Sequence, residues 1–345
     1  MEKELVLVTG GSGYIASNII LQLLEQGYMV RTTVRSLDKI ERVKKIIRAG
    51  GIENLDNLSF IITDLSSEKN WDKAMKGVMY VIHPASPTPK LNFKDEKEMI
   101  DPAVSGVLYV MKAARDAKVK RVVLTSAYGA IFAGHENRKT PYTEEDWSNL
   151  EAKNIFPYQK SKTLSERAAW KFIEEEGNGL ELATVNPVGV MGPILTSDYS
   201  HSNVQIQQLL DGEVKAVPNV DSGYVDVRDV ASLHLLAMIS SKAAGERFLA
   251  TTGETLSMLE VANILREAFP DFADKLPTKK IPNAVLKAAA LTNPSLRMLA
   301  SLTGKYAETS NQKSKDLLGW QPRSAREAIL ATAQSMIDLG IVKKD

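Results

Sequence analysis

A tyrosine and a lysine four residues apart carry the clearest chemical signal in this sequence. Tyr158 and Lys162 bracket the segment Tyr-Gln-Lys-Ser-Lys, and on a helix this spacing places both side chains on one face. A neighbouring ammonium favours the phenolate, so Lys162 should lower the pKa of Tyr158 towards a value useful for proton transfer. The pair predicts an acid–base centre in which Tyr158 exchanges a proton with a bound molecule.

A glycine-rich segment near the N-terminus is suited to binding a phosphate group. The segment GGSGYIA at residues 10–16 follows a β-branched run directly and precedes residues with helical spacing. Gly10 permits a tight turn, and Gly13 lets a pyrophosphate approach the backbone at the positive end of the helix. The strand, loop and helix together form the context that a dinucleotide-binding motif requires. The residues expected to contact the dinucleotide here are Gly10, Gly13, Tyr14 and Ile15.

The end of the second predicted strand indicates which dinucleotide is bound. An NAD site would place an acid there to hold the ribose 2′-hydroxyl, whereas this chain has Arg35, with Lys39 one turn later. A guanidinium can bind a 2′-phosphate through two hydrogen bonds, so NADPH or NADP+ is the expected cofactor. The alternative is that Arg35 belongs to a solvent-exposed basic face and binds no cofactor. That interpretation suits the lysines and arginines further along the chain, but it suits Arg35 poorly.

Two further strand ends supply expected cofactor contacts. Asp64 could accept a hydrogen bond from the adenine amino group, although an aspartate after a strand is usually a helix cap. The small residues of His83–Pro87 would let the backbone pass close to the cofactor. The residues predicted at these two places are Asp64, Leu65, Ala85 and Ser86.

The elements that must position these residues alternate along the first two-thirds of the chain. Helices are expected near Asp101–Ala117 and from Ser161 to about Glu175. Alternating strands and helices imply right-handed crossovers, and hence an α/β fold with a doubly wound parallel sheet of the Rossmann type. The expected strands are Leu5–Thr9, Met29–Val34, Ser59–Thr63, Val78–His83, Arg121–Thr125 and Leu182–Val185.

The pattern loosens after about Asn186, which suggests a second, smaller lobe. We predict a dinucleotide-binding domain over residues 1–190, with a return to its sheet near 217–232 in which Val225–Val230 is the strand. Residues 191–345 would form a mainly helical substrate lobe, interleaved with the first domain. Within it, Asn283–Leu302 reads as a pair of amphipathic helices, because charged and proline residues interrupt its apolar run.

Composition narrows the possible partners. With 43 basic and 42 acidic residues the net charge is +1, so no overall field would attract nucleic acid or a membrane. The absence of cysteine excludes thiolate chemistry and disulfides, and together with the absence of a recognisable secretion signal it favours a cytoplasmic location. The four histidines show no metal-ligand spacing. They are His83, His135, His201 and His234.

These motifs together resemble the extended short-chain dehydrogenase/reductase superfamily over nearly the whole chain. Within it the sequence is most similar to the group of dihydroflavonol reductases, cinnamoyl-CoA reductases and yeast-type carbonyl reductases. The segments that carry the resemblance are Val6–Ala16, Val30–Arg35, His83–Pro87, Val122–Ser126, Tyr158–Lys162, Asn186–Gly192, Val225–Val230 and Leu317–Pro322.

The resemblance implies NADPH, a small-molecule aldehyde or ketone substrate, and a Ser-Tyr-Lys triad. It also implies that Lys162 holds the nicotinamide ribose and that Pro187 and Val188 pass beside the nicotinamide. The oligomeric state is left open between a monomer and a homodimer. Some side chains could line an apolar substrate pocket, with ordinary core packing an equal alternative. They are Tyr128, Phe156, Met191, Tyr199 and Tyr224.

One position departs from the family pattern. The catalytic serine is normally the second serine of a run after the fifth strand, whereas this chain reads Thr125-Ser126-Ala127. Aligned without gaps, Ala127 takes the serine position. Adjacent residues at a strand end point to opposite sides, so Ser126 can take the role only if the turn is adjusted. Ser126 is the named candidate, with Thr125, Tyr128 or water as substitutes.

Three hypotheses follow for function. The leading one is an NADPH-dependent oxidoreductase that reduces a carbonyl through Tyr158 and Lys162. The first alternative is a sugar-nucleotide epimerase or dehydratase with tightly held NAD, which Arg35 disfavours. The second is a dinucleotide-binding regulator without turnover, for which Ala127 is the only support.

Overall fold

The computed structural model describes residues 4–86, 95–135, 139–153, 155–197, 200–293, 296–305 and 308–343. Two residues of the predicted motifs, Pro87 and Tyr199, lie outside these ranges. The strands are β1 (Leu5–Val8), β2 (Met29–Val34), β3 (Leu58–Ile62), β4 (Tyr80–His83), β5 (Arg121–Thr125), β6 (Glu181–Pro187), β7 (Gly189–Met191), β8 (Asp221–Asp226), β9 (Arg247–Ala250) and β10 (Thr255–Ser257).

Helices flank the strands. They are α1 (Tyr14–Glu25), α2 (Asp38–Ala49), α3 (Trp71–Met75), α4 (Lys97–Asp116), α5 (Pro157–Glu176), α6 (His201–Leu210), α7 (Val227–Ile239), α8 (Met258–Ala268), α9 (Asn283–Thr292), α10 (Arg297–Leu302), α11 (Gln312–Leu318) and α12 (Ala325–Asp338). Within the described ranges, no helix is both long and apolar enough to cross a membrane.

Seven strands form one parallel sheet in the order β3-β2-β1-β4-β5-β6-β9. The predicted doubly wound parallel sheet is therefore confirmed. The strand order reverses between β1 and β4, and in such sheets ligands bind at the carboxyl ends of the strands beside this reversal. The glycine-rich segment follows β1 there, and the segment that begins at His83 follows β4.

The strand that returns to the large sheet differs from the predicted one. Val225–Val230 was expected to rejoin it, but β8 ends at Asp226 and belongs to a separate three-stranded sheet with β7 and β10. The Asp226 carboxylate accepts the backbone N–H of Arg228 at 2.8 Å and so caps α7, which ends the strand there. The strand that rejoins the sheet is β9, beside β6.

Helix α5 begins earlier than predicted, at Pro157 instead of Ser161. Proline suits the first position of a helix because its missing N–H would have no partner there. The Gln159 side chain also accepts the backbone N–H of Phe156 at 3.1 Å, which stabilises this start. Tyr158 and Lys162 therefore both lie in the first two turns of one helix.

The smaller lobe has its own core. Helices α6, α8 and α12 pack around the three-stranded sheet and bury apolar side chains that include Phe272 and Met336. The predicted pair of helices over Asn283–Leu302 corresponds to α9 and α10, with residues 294 and 295 outside the described ranges.

Candidate active site

Tyr158 and Lys162 lie one helical turn apart at the start of α5. Tyr158 is 45% exposed, and its ring edge lies close to the backbone of Gly129, just after β5. Lys162 borders a small cavity together with His83, Ser126 and other residues from β4, β5 and α4. The structure thus brings the predicted acid–base pair to the carboxyl ends of β4 and β5.

The pKa of Tyr158 is raised, because surrounding protein atoms desolvate the phenolate. This is opposite to the direction that the sequence predicted, and Lys162 is not among its causes. Burial lowers the pKa of Lys162 to about 8, and the negative charge of Glu166 partly opposes this decrease. At neutral pH the pair is therefore a protonated phenol beside an ammonium, which suits proton donation better than proton abstraction.

Ser126 does not direct its hydroxyl towards Tyr158. Its Oγ donates to the buried Glu166 carboxylate at 2.5 Å. Thr125 Oγ1 is hydrogen-bonded to His234 Nε2 at 2.7 Å, and Ala127 is buried with 8% exposure. The hydroxyls of Ser126 and Thr125, two of the three that were expected to be able to replace the family serine, are thus engaged elsewhere.

His83 closes the inner side of the small cavity. It is fully buried, its Nδ1 is 2.7 Å from Thr9 Oγ1, and its Nε2 has no hydrogen-bond partner in the described part of the chain. Burial and the positive charge of Lys162 lower the pKa of His83 to about 3, so it is neutral at physiological pH. Ala85 and Ser86 follow it and line the same cavity. The unpartnered Nε2 of His83 and the ammonium of Lys162 are polar groups at this cavity that a bound ligand's hydroxyls could satisfy.

The glycine-rich loop has the geometry of a dinucleotide cradle. Gly10 has φ +67°, and a Cβ added there would lie 2.9 Å from the Cβ of Ala85, so only glycine fits. Its N–H donates to Thr33 Oγ1 at 2.8 Å, which ties the loop to β2. Helix α1 begins after Gly13 with no acidic residue in its first turn. Its free N–H groups and dipole fit a pyrophosphate.

Tyr14 connects this loop to the smaller lobe. Its hydroxyl donates to the backbone oxygen of Gly192 at 2.8 Å, while Ile15 packs against the main core. Tyr14 was predicted only as a cofactor contact. The structure adds that its side chain spans the boundary between the glycine loop and the smaller lobe.

Arg35 is exposed directly after β2, as an arginine that binds a 2′-phosphate would be. Lys39 lies on α2 and pairs with its neighbour Asp38 at 3.2 Å. Asp64 accepts the backbone N–H of Ser66 at 2.7 Å. That interaction with Ser66, and to a lesser extent the charge of Arg35, lowers the pKa of Asp64. Asp64 therefore closes a local turn and does not cap a helix, since α3 begins only at Trp71, and Arg35 and Asp64 lie near each other.

The predicted residues after β3 and at the end of β6 are each held by contacts with neighbouring elements. Asn186 is fully buried, and Pro187 ends β6. Val188 donates its N–H to the backbone oxygen of Ala250 at 3.1 Å. Leu65 packs closely against Gly106 of α4. These contacts fix the walls of the site at the ends of β3 and β6.

The predicted pocket residues divide into two groups. Met191 and Tyr224 are 1% and 2% exposed and belong to the core of the smaller lobe, so core packing accounts for both. Tyr128 is half-buried and stacks on Phe132 with ring centroids 4.6 Å apart. Phe156 is half-buried immediately before α5. Tyr128 and Phe156 therefore stay available as pocket residues.

Glu166 is the residue that sequence reasoning missed. It is fully buried, although its position between Ser165 and Arg167 reads as an ordinary exposed helix charge. The available signal was its spacing, since Glu166 lies four residues after Lys162 and eight after Tyr158 and so shares their helix face.

Among the described residues, no group of three or more acidic or histidine side chains could hold a metal.

Comparisons with known proteins agree with this geometry. A family model described as the NAD dependent epimerase/dehydratase family matches residues 6–250. The chain is 35% identical to Cinnamoyl-CoA reductase 1 of Arabidopsis thaliana over 344 residues, which covers 97% of this chain and 90% of that protein. It is 34% identical to Dihydroflavonol 4-reductase of Arabidopsis thaliana over 278 residues, which covers 79% and 71%.

A solved structure resembles the whole fold. The yeast methylglyoxal/isovaleraldehyde reductase Gre2, complexed with NADPH, superposes with a TM-score of 0.81 at 31% identity. The match covers 98% of this chain and 100% of that one.

Proposed function

This chain belongs to the NAD dependent epimerase/dehydratase family, the extended short-chain dehydrogenases, and on that premise we propose that it reduces aldehydes or ketones with NADPH. Its relatives and the NADPH-bound yeast reductase show that it is an NAD(P)-dependent oxidoreductase. The observation that carries the proposal is the placement of Tyr158 and Lys162 on α5 beside the glycine-rich cradle. The NADPH-bound yeast reductase supports the choice of cofactor.

NADPH, when bound, supplies a hydride to the carbonyl carbon. Tyr158 then donates its phenolic proton to the carbonyl oxygen, and its raised pKa keeps that proton in place at neutral pH. Lys162 would hold the nicotinamide ribose through its ammonium. The first turn of α1 would hold the pyrophosphate through backbone N–H groups, and Arg35 would bind the 2′-phosphate.

The remaining cofactor contacts follow from the positions of the residues in the fold. Asp64 and Leu65 would border the adenine side, and Gly10, Gly13 and Ile15 the pyrophosphate. Ala85, Ser86, Pro187 and Val188, which follow β4 and end β6, would border the nicotinamide side.

The oxidation of NADPH, followed by its absorbance, tests the function directly. The panel comprises aldehydes, ketones, α-diketones and β-keto esters, and we expect turnover with at least one class. NADPH binding without consumption across the panel would instead indicate a regulator. NAD that copurifies with the protein would instead indicate an epimerase or dehydratase.

The missing family serine gives a prediction on rate. Because the Ser126 hydroxyl is engaged by Glu166, a serine introduced by Ala127→Ser should add a donor beside the developing alkoxide. We expect kcat to rise, by at most about a hundredfold, with a smaller change in KM because the bond strengthens mainly in the transition state. Steady-state kinetics at saturating NADPH measure both parameters.

Thermal stability and NADPH binding of Ala127→Ser serve as the folding control. A folded variant with kcat within about twofold of wild type, roughly 0.4 kcal/mol of barrier, would show that position 127 does not face the substrate oxygen. Proton delivery would then rest on Tyr158 with water as the second donor.

A further inference from the structure

The buried carboxylate of Glu166 accepts hydrogen bonds from several side chains. Its Oε2 accepts from Ser126 Oγ at 2.5 Å and from Asn186 Nδ2 at 2.8 Å. Its Oε1 accepts from Arg247 Nε at 2.7 Å and from Thr184 Oγ1 at 3.1 Å. Trp170 Nε1 lies 3.4 Å from the same oxygen.

All five partners are donors, which fits an ionised carboxylate. Arg247 lies on β9 and is itself 8% exposed. The ion pair therefore lies in the interior, where a lost charge is poorly compensated by water. A buried carboxylate of this kind holds its donors in fixed positions, since each would be left unsatisfied if it moved away.

These donors come from the elements that form the active site. Ser126 follows β5, and Asn186 lies on β6 next to Pro187. Asn186 Nδ2 also reaches the backbone oxygen of Ala127 at 3.3 Å. Glu166 itself lies one helical turn after Lys162 on α5, so one carboxylate connects α5, the end of β5 and the end of β6.

Among the titratable groups around Lys162, Glu166 is the one whose charge stabilises the Lys162 ammonium. On the side of β4 the titratable group is His83, which is neutral. α4 contributes Ala103 and Val107 to the cavity wall, and β5 and the residue after it contribute Leu124, Thr125 and Ser126. Burial disfavours the Lys162 ammonium, and the negative charge of Glu166 opposes that effect.

We propose that Glu166 is a positioning residue of the active site, which fixes Ser126 and Asn186 and supplies the negative charge that keeps Lys162 an ammonium. The kinetic part of this proposal rests on the reductase function proposed above. The electrostatic part concerns Lys162 alone and can be measured without a cofactor or a substrate.

The test is the titration of Lys162 in the cofactor-free protein. The Cε signals of ¹³C-labelled lysines are followed by NMR against pH, and the Lys162 signal is assigned by its loss in Lys162→Arg. In Glu166→Gln we expect the Lys162 titration to move down by about one pH unit or more, because a negative charge one helical turn away is removed. Glu166→Asp retains the charge and should retain most of the wild-type titration.

The matched control is Glu144→Gln. Glu144 is also buried, and its carboxylate accepts the N–H of Leu249 at 2.8 Å, but it is not among the groups that shift the pKa of Lys162. The Lys162 titration should therefore stay unchanged in this variant.

Glu166→Gln leaves Arg247 buried without its partner and can fail to fold. The double variant Glu166→Gln/Arg247→Leu removes both charges and should still show a downward shift, although a smaller one because the nearby positive charge is lost as well. A Lys162 titration within about 0.3 pH unit of wild type in whichever of these variants folds would overturn the proposal. Failure of both to fold would also overturn it, since a purely structural role would then account for Glu166.

Activity provides the second readout. With a good substrate and saturating NADPH, the decrease of kcat at high pH should move to lower pH in the folded Glu166→Gln protein, with KM less affected. If the wild-type protein reduces no carbonyl, the reductase proposal fails, while the NMR titration still decides the role of Glu166.

Discussion

Replacing Tyr158 with phenylalanine should lower kcat by about 10²–10⁴-fold, the range that a general acid contributes. The substitution removes the phenolic proton and leaves the ring that lies against Gly129. No hydrogen bond contributes to the pKa of Tyr158, so loss of the hydroxyl should leave stability nearly unchanged. Carbonyl reduction at saturating NADPH measures the effect.

Tyr109→Phe is the matched control for this prediction. It removes a phenolic hydroxyl from a half-buried tyrosine of α4 that does not line the small cavity beside Lys162, and should lower kcat far less. NADPH affinity, measured by fluorescence, should stay close to wild type in Tyr158→Phe. A Tyr158→Phe protein that keeps most of its turnover would refute the role of this residue as the proton donor.

Replacing Arg35 with aspartate should reverse the cofactor preference. Charge-assisted hydrogen bonds contribute about 1.5–3 kcal/mol each, so NADPH affinity should fall by about tenfold or more. NADH lacks the 2′-phosphate and should bind as well or better, because an acid at this position can accept from the ribose 2′-hydroxyl. Dissociation constants for both cofactors measure the change.

Arg48→Asp provides the control, since it changes the same charge at an exposed arginine in the last turn of α2. It should leave the ratio of the two affinities unchanged, which separates a specific 2′-phosphate contact from the general basic field of this helix. Equal use of NADPH and NADH by the unmodified protein would show that Arg35 is part of a solvated face.

The sequence predicted best the features that depend on neighbouring residues. Gly10 takes a positive φ because the turn after β1 requires it, and that requirement is local. Arg121–Thr125 is a short run with three consecutive apolar residues, as in a buried parallel strand, and β5 has those limits. The start of α5 was placed four residues late, because it is set by Pro157 and by the hydrogen bond from Phe156 to Gln159 and not by an apolar pattern.

The predictions that failed concern side chains whose environment comes from distant parts of the chain. Val225–Val230 has the composition of a sheet strand, but the cap formed by Asp226 and packing against α1 make most of it helical. The pKa of Tyr158 was predicted from the charges of Lys162 and of an oxidised nicotinamide ring, whereas desolvation by the folded chain raises it.

The sequence by itself determined the parallel α/β sheet, the glycine-rich cradle, the cation after β2 and the spacing of Tyr158 from Lys162, because strand alternation, turn geometry and helix periodicity are local. Only the tertiary structure decided where hydroxyls and charges point. Ser126 and Glu166 are 40 residues apart, and no local pattern pairs them. Folding buries Glu166 beside Arg247 and makes it accept the hydroxyl that the sequence had assigned to the substrate, because a buried carboxylate must satisfy its lone pairs with whatever donors the fold provides.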